Sequence, residues 1–403
     1  MRGIAVLLVA LALASPAGAQ SRYSLRGWGE PVLPARAAAR ALGAAEAAAS
    51  TPTLTGNPAN LSQATLATFY GSYVTEWVKT EESTENGTRV RQDYSGAISN
   101  LCLAFPLGPV TLGAGFAVGR RAGGTIQQTA TTSTGETYLQ ILEADGNLLR
   151  LPVLLAGSWK GIEFGGGLDV LLLNAKRRWT NDFATVDGFT TSSDLVRTSQ
   201  WGISWRGGVA VPVGDRLRLG GWVALPGNLS GTRTFENDDP SGDVDERERD
   251  AEAEVAPAAA VGFELRPFTG VRVVGDWVRE AWKDVAPPDE ISEFVDVDRF
   301  AAGIEWAPGI GGPRWPVRVG YRTENLHTLD VGGREVHEHF VTAGSGFSIG
   351  EGRGEIDWFL EYGRRGDPDE REFGEQVWRV GLTLTGSERW SRRRPPEGET
   401  EDW

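Results

Sequence analysis

The chain has 403 residues, a formal net charge of −14 at pH 7 and a single cysteine, Cys102. One cysteine excludes an internal disulfide framework, and the acidic balance argues against nucleic acid as a partner. Beyond the N-terminal signal no apolar stretch reaches the roughly 18 residues of a transmembrane helix. The remaining candidates are a large soluble β-protein and a transmembrane β-barrel, because only helices and closed barrels satisfy their backbone groups in lipid.

The N-terminus has the pattern of a secretory signal. Met1-Arg2 gives a basic start, Ile4 to Ala14 is apolar, and small residues end in Ala17-Gly18-Ala19. This pattern predicts a signal peptide over residues 1–19, cut after Ala19, and an exported protein. The apolar run is too short for a comfortable membrane span.

Residues 20–63 form the first unit of the mature chain. The alanine-rich stretch from Ala35 to Ser50 has helical propensity, and Pro34 stands where a helix can begin. Pro52 and Pro58 prevent the helix from continuing. A piece this small cannot bury a core by itself. We therefore predict an N-terminal plug that needs a host.

Residues 64–386 contain fourteen predicted strands, and residues 387–403 form a charged, proline-bearing tail that we place in the periplasm. The strands have about 10 to 18 residues, longer than the roughly five or six of globular proteins. Strands that cross a membrane at a tilt need about 9 to 11 residues in the lipid. Apolar and polar residues alternate, as in the last strand, where Trp378, Val380 and Leu382 share one face.

The connections discriminate between a membrane barrel and a soluble sandwich. Those after even-numbered strands are mostly tight, such as Lys160-Gly161, and those after odd-numbered strands are long and polar, such as Ala122 to Asn147 and Glu236 to Asp250. Periplasmic turns and extracellular loops alternate in this way in outer-membrane proteins. The fold predicted is all-β: a 14-stranded antiparallel transmembrane β-barrel with a plug (hatch), a monomer in a Gram-negative-type outer membrane.

Asn57-Pro58-Ala59, the Ala/Gly-rich segment before it and the fourteen strands after it resemble the FadL family of outer-membrane transporters. The resemblance covers nearly all of the mature chain. It implies transport of long-chain fatty acids or other hydrophobic small molecules through a plugged barrel, with lateral exit at a kinked third strand. It also leaves an alternative, because a second branch of the superfamily binds or shuttles surface proteins in type IX secretion. The partners expected are a fatty acid-like molecule, outer-membrane lipid and lipopolysaccharide.

Under this resemblance two sets of residues become candidates. Gly113, Gly115 and Gly119 lie in the third strand, where a bend would form a lateral gate; they could equally give room for plug packing or barrel curvature. Leu171 and Leu173 point inward on the fifth strand and would line an apolar ligand site, or pack on the plug.

No catalytic set is predicted. The stretch from Gly346 to Gly350 matches G-x-S-x-G, but it lies on a continuous strand and no histidine follows His339. His337 and His339 share a strand face without a third metal ligand. The acidic connection around Asn237 to Asp245 lacks the spacing of a calcium loop. We therefore expect no enzyme activity, no cofactor and no metal.

Overall fold

The structure is a computed structural model that describes residues 21–25, 27–33, 35–84, 87–183, 190–238, 244–287, 293–308, 315–330, 332–350, 353–366 and 373–389. The predicted signal peptide and the tail beyond residue 389 lie outside the described residues. No helix within the described ranges is long and apolar enough to cross a membrane.

The fold is a closed antiparallel barrel of fourteen strands, each paired with the next along the chain, and the last paired with the first from Glu388↔Ala67 to Phe373↔Glu82. The strands are β1 Ala67–Thr84, β2 Gly87–Pro106, β3 Val110–Thr131, β4 Thr137–Trp159, β5 Ile162–Asp182, β6 Ser192–Val213, β7 Leu217–Ala224 with Gly227–Asp238, β8 Val244–Val255 with Ala258–Leu265, β9 Val271–Glu280, β10 Val297–Trp306, β11 Val317–Leu329, β12 Glu335–Ile349, β13 Gly354–Arg365 and β14 Phe373–Glu388. Pro226 and Pro257 fall at the two interruptions, where a residue without an N–H cannot continue the ladder. The predicted fold class is confirmed.

The alternation of side chains also follows the prediction. On β14 Trp378, Val380 and Leu382 are exposed on the outside of the barrel, whereas Arg379 and Thr383 between them are buried inside. Exposed aliphatic and aromatic side chains recur around the outer wall. An apolar exterior with a polar interior is the arrangement expected of a barrel that sits in lipid.

The predicted long loops were wrong in extent. Ala122 to Asn147 is mostly strand, because β3 continues to Thr131 and β4 begins at Thr137. These hairpins extend beyond the apolar band, where neither face has to be apolar, so the alternation that marked the strands disappears while the backbone pairing continues. We call this end of the barrel the hairpin end.

The opposite end, which we call the short-turn end, has tight connections. Lys160 and Gly161 join β4 to β5 with φ values of 51° and 82°. Two consecutive residues with positive φ are the requirement of a type I′ turn, whose twist matches that of the flanking strands. The sequence pattern therefore located this turn correctly.

The described residues between 21 and 64, here called the inner segment, lie inside the barrel and are mostly buried. Only Ala37–Arg40 is α-helical, so the helix predicted over Ala35 to Ser50 was wrong in length. Gly43 and Ala44 have φ values of 76° and 68°, which end the helix. Contacts with the wall decide this local structure: the Arg40 guanidinium is ion-paired with Glu361 at 2.6 Å, and a Cβ on Gly43 would lie 2.6 Å from the Tyr321 carbonyl oxygen.

Ion pairs fill the lumen beside the inner segment along β11 to β14. Arg322 and Arg40 both bind Glu361, and Arg318 binds Asp357 at 2.7 Å. All five of these groups have side chains no more than 5% exposed. The remaining internal space is therefore divided into separate cavities.

Candidate functional site

A large cavity lies at the hairpin end, between the inner faces of β3 to β8 and the inner segment, and has a volume of about 940 Å³. Its lining combines apolar and charged side chains. The apolar ones include Trp28, Leu173, Leu229 and Phe235, and the charged ones include Arg233 and Glu252. Arg177 Nη2 donates to the Gly27 carbonyl oxygen at 2.6 Å and so holds the floor of the cavity to β5. A cavity of this size and mixed character suits a small ligand with an apolar body and a polar end.

An aromatic cluster supports the floor of this cavity. Trp28 of the inner segment meets Trp282 edge to face, with ring centres 5.9 Å apart, and Trp282 meets Phe294 at 5.4 Å. Trp282 and Phe294 belong to the connection between β9 and β10, and both side chains are buried in this cluster. Such pairs contribute about 0.5–1.5 kcal/mol each beyond the area that they bury.

The two leucines predicted to line a ligand site both point into the lumen in this region. Leu173 lies on the wall of the large cavity, whereas Leu171 is buried in the cluster around Trp28, Leu148 and Leu229. Leu173 therefore faces the cavity, whereas Leu171 is packed below the cavity floor and does not face open space.

Arg120 of β3 enters the same cluster from the barrel wall. Its guanidinium lies 4.3 Å from the ring centre of Trp282, and Nη2 is 3.1 Å from a carboxylate oxygen of Glu280. Nη1 lies 2.9 Å from Nδ1 of His327 and also donates to the Gly29 carbonyl oxygen at 3.3 Å. One side chain therefore joins the wall, the aromatic cluster and the inner segment.

The backbone ladder between β2 and β3 is incomplete. Pairing runs from Pro106↔Thr111 to Asn100↔Ala117 and stops there. Within the described residues, the rest of β2 pairs only with β1, and the rest of β3 pairs with β4 and the inner segment. A bulge lies on β3 between Val118 and Arg120, just past the last pair. Bulges bend a strand and interrupt pairing, so the wall has a gap in its ladder here.

The inner segment covers this gap from the lumen. Glu30–Pro31 pairs with β3 in the register Glu30↔Arg121 and Pro31↔Arg120, and the Val32 N–H donates to the Gly119 carbonyl oxygen at 3.0 Å. Next to the bulge, the edge of β3 that β2 leaves open thus pairs with a short strand from inside the barrel.

The three glycines predicted for a lateral gate divide into two groups. A Cβ on Gly113 would lie 2.6 Å from a methyl carbon of Leu54, so this glycine gives room for the inner segment. A Cβ on Gly115 would meet the Leu101 carbonyl oxygen of β2 first and Leu54 at 2.9 Å, so this glycine gives room for both the neighbouring strand and the inner segment. Gly119 sits at the bulge where the ladder ends. The structure brings only Gly119 to the gap.

Asn57-Pro58-Ala59 occupies the short-turn end of the lumen. Asn57 caps the 3-10 helix Pro58–Gln63: its Oδ1 accepts from the Ala59 N–H at 3.0 Å. Its Nδ2 donates to the carbonyl oxygens of Ala47, in the inner segment, and Val209, in β6, at 2.7 and 2.9 Å. Both halves of a buried amide are therefore satisfied, and one of them binds the wall.

Neighbouring residues extend this attachment. Arg206 of β6 donates to the carbonyl oxygens of Leu54, Thr55 and Gly56, and Arg218 of β7 donates to Asn60 Oδ1 at 2.8 Å. Nearby in the inner segment, burial raises the pKa of the Glu46 carboxyl, and hydrogen bonds from Thr55 and Thr53 oppose that rise. The motif is thus the centre of a polar joint between the inner segment and the wall.

The fold can be compared with solved structures. No protein-family model matches this chain, and no curated protein matches it in sequence. The Pseudomonas putida toluene transporter TodX is 14% identical, with a TM-score of 0.64 over 91% of this chain and 100% of that one. The chain has the fold of this transporter. The Ralstonia pickettii toluene transporter TbuX is 16% identical, with a TM-score of 0.58 over 91% and 99% of the two chains. A Pseudomonas aeruginosa FadL homologue is 11% identical, with a TM-score of 0.59 over 90% and 99%.

The resemblance to the FadL family predicted from the sequence is thus confirmed at the level of the fold. Sequence reasoning missed Trp28, Arg120 and Trp282. Arg120 had one available signal, because it directly follows a glycine in the strand predicted to bend. Within the described residues, no group of three or more His, Cys, Asp or Glu side chains is placed to hold a metal ion.

Proposed function

We propose that the protein is an outer-membrane channel for hydrophobic small molecules and performs no catalytic step. The hairpin end would be extracellular and the short-turn end periplasmic. The proposal depends mainly on one observation: Gly27 to Val32 forms the floor of the large cavity and also covers the gap between β2 and β3. Fold neighbours that are described as toluene transporters and monoaromatic hydrocarbon channels support it.

In this proposal a ligand first fills the large cavity. Its apolar part would lie on Trp28 and Leu173, and a polar or anionic end would be received by Arg233 or another cation of the lining. A fatty acid-like amphiphile would contact both the apolar and the cationic side chains of the lining, whereas a plain hydrocarbon would contact only the apolar ones.

Exit then requires the inner segment to move. Displacing Glu30–Pro31 from β3 would break its pairing with Arg120 and Arg121 and expose the gap to the membrane. The joint around Asn57 would stay fixed, because it is buried and bonded to β6. We therefore propose that residues 21–63 act as a plug that is hinged at its C-terminal end, and that Gly119 marks the lateral gate.

Retention of a labelled ligand tests the proposed function. The purified barrel is incubated with radiolabelled oleate and, separately, with labelled toluene, alongside a plain porin of similar size. Retention of either ligand well above the porin supports transport of hydrophobic compounds, and a preference for oleate supports the amphiphile. Retention equal to the porin for both would contradict it. The alternative from the sequence, a barrel that shuttles surface proteins, has no comparable structural observation in its favour.

A further inference from the structure

A second cavity, of about 250 Å³, lies at the hairpin end between β1, β2 and β3. It is separate from the large cavity, and its lining is polar and rich in arginine. The residues that matter here are Arg22, Glu82, Arg89, Arg91 and Thr125. Its volume is several times the roughly 30 Å³ that one water molecule occupies in the liquid.

The position of this cleft relative to the membrane can be inferred from the aromatic residues next to it on the outer wall. Trp77 of β1 and Tyr94 of β2 are exposed on the outer wall and meet edge to face at 5.9 Å. Aromatic side chains of this kind mark the level where the hydrocarbon of a membrane ends. Arg91 lies three residues beyond Tyr94, or about 10 Å further along the strand. The cleft thus lies at the level of lipid head groups.

The cleft lies beside the part of the wall where the ladder between β2 and β3 is missing. It lies in line with the gap, on the hairpin side of the last pair, Asn100↔Ala117. The Arg91 guanidinium crosses the gap and donates to the Thr125 carbonyl oxygen of β3. A head group in the adjacent leaflet could therefore reach the arginines without entering the large cavity.

The charges in the cleft do not cancel. Arg22 makes two hydrogen bonds to Glu82, at 2.8 and 2.9 Å, and Arg91 is ion-paired with Asp93. Arg89 is exposed and has no hydrogen-bond or ion-pair partner among the described residues. The Nε of Arg22 is buried and also has no partner there. Arg89 thus brings one uncompensated positive charge, with its N–H groups, to the lining of this space.

We propose that this cleft binds a phosphate group. Guanidinium groups bind phosphate through paired, charge-assisted hydrogen bonds, and a single arginine cluster at head-group height is suited to that geometry. The phosphate can come from a phosphorylated lipid of the outer leaflet or from free phosphate, and the two sources offer the same chemistry. The site does not involve the transported ligand, so phosphate binding can be tested independently of the proposed transport function.

Binding measured on the intact barrel in detergent tests the proposal. One arm titrates inorganic phosphate by calorimetry. The other counts bound lipid A by native mass spectrometry, with dephosphorylated lipid A as the matched lipid. Binding of phosphorylated but not dephosphorylated lipid A assigns the site to a lipid head group, and binding of inorganic phosphate alone assigns it to free phosphate. Either result supports a phosphate site.

Two variants locate the binding. Arg89→Gln removes the uncompensated charge from the cleft and should weaken phosphate binding about tenfold. Arg279→Gln removes an exposed arginine near the hairpin end of β9, outside the cleft, and should leave binding unchanged. Both arginines are exposed, so a heat-modifiability gel should show both variants folded. The proposal is overturned if the wild-type protein binds phosphate in neither form, or if Arg89→Gln binds as tightly as the wild type.

Discussion

The guanidinium carbon of Arg120 lies 4.3 Å from the ring centre of Trp282, beneath the large cavity at the hairpin end. Arg120 belongs to the bulged part of β3, and Trp282 contacts Trp28 of the inner segment. The pair therefore connects the floor of the ligand cavity to the strand that borders the gap in the wall. Its contacts explain how occupancy of the cavity could affect the covering of the gap.

Arg120→Lys should loosen the inner segment while preserving the charge. Lysine keeps the positive charge but loses the planar fork that reaches Glu280, His327 and the Gly29 carbonyl oxygen together. We expect greater leakage of a bulky antibiotic into cells. Arg216→Lys, at an exposed position of the short-turn end, should not change leakage. Equal leakage in both variants would show that Arg120 does not hold the inner segment in place.

Trp28→Ala should weaken ligand binding in the large cavity. Trp28 lies on the cavity floor and packs on Trp282, so its loss removes apolar surface and a support of the cluster. We expect the Kd for a fluorescent fatty acid to rise about tenfold, equivalent to about 1.4 kcal/mol. Trp205→Ala, which removes an exposed tryptophan from the outer wall, is the matched control. An unchanged Kd for Trp28→Ala would place the ligand elsewhere.

Asn57→Ala should loosen the joint at the short-turn end. The substitution removes a helix cap, worth about 0.5–2 kcal/mol, and two further hydrogen bonds of about 1 kcal/mol each. The barrel should still assemble, because β1 to β14 keep their ladder, but antibiotic leakage should rise. Asn174→Ala, at an exposed position of β5, provides the comparison. Loss of the folded band on a heat-modifiability gel would instead show that the motif is required for assembly.

Deletion of Gly119 should reduce uptake without reducing binding. Removing the extra residue of the bulge restores a regular β3–β4 register and allows β3 to continue towards β2. The large cavity, formed mainly by β4 to β8, should keep its affinity for ligand. Deletion of Ser133, in the tip between β3 and β4, shortens the same hairpin without touching the bulge. Normal uptake by the Gly119 deletion would show that the gap is not the exit.

The sequence predicted the barrel because lipid outside and polar groups inside impose an alternation that can be read residue by residue, as on β14. In the hairpins beyond the apolar band, apolar and polar residues no longer alternate. The stretch from Ala122 to Asn147 was therefore wrongly predicted to be a loop. The short helix Ala37–Arg40 could not be foreseen either, because the ion pair between Arg40 and Glu361 joins residues far apart in the sequence.

Prediction of the site was limited for the same reason. The bend at Gly119 has a local cause, since glycine weakens a strand, and the third strand was selected correctly for inspection. The gap itself depends on where the pairing between β2 and β3 stops. That point cannot be predicted from the sequence of either strand alone. The aromatic cluster combines Trp28, Trp282 and Phe294 from two distant connections, so neither periodicity nor spacing could assemble it.

The central claim is that Glu30–Pro31 must leave β3 before a ligand can exit. A disulfide between Glu30→Cys and Arg121→Cys, which are direct partners in the register, would hold the segment in place. Cys102→Ala removes the native thiol, and a disulfide between Leu360→Cys and Val380→Cys, paired on the exposed outer wall, serves as the control. Uptake of labelled oleate is then measured in the oxidised and reduced states, with formation of the disulfide verified by mass spectrometry. The account predicts that oxidation stops uptake in the first variant only, that reduction restores it, and that binding persists throughout; unchanged uptake by the fully oxidised first variant would contradict it.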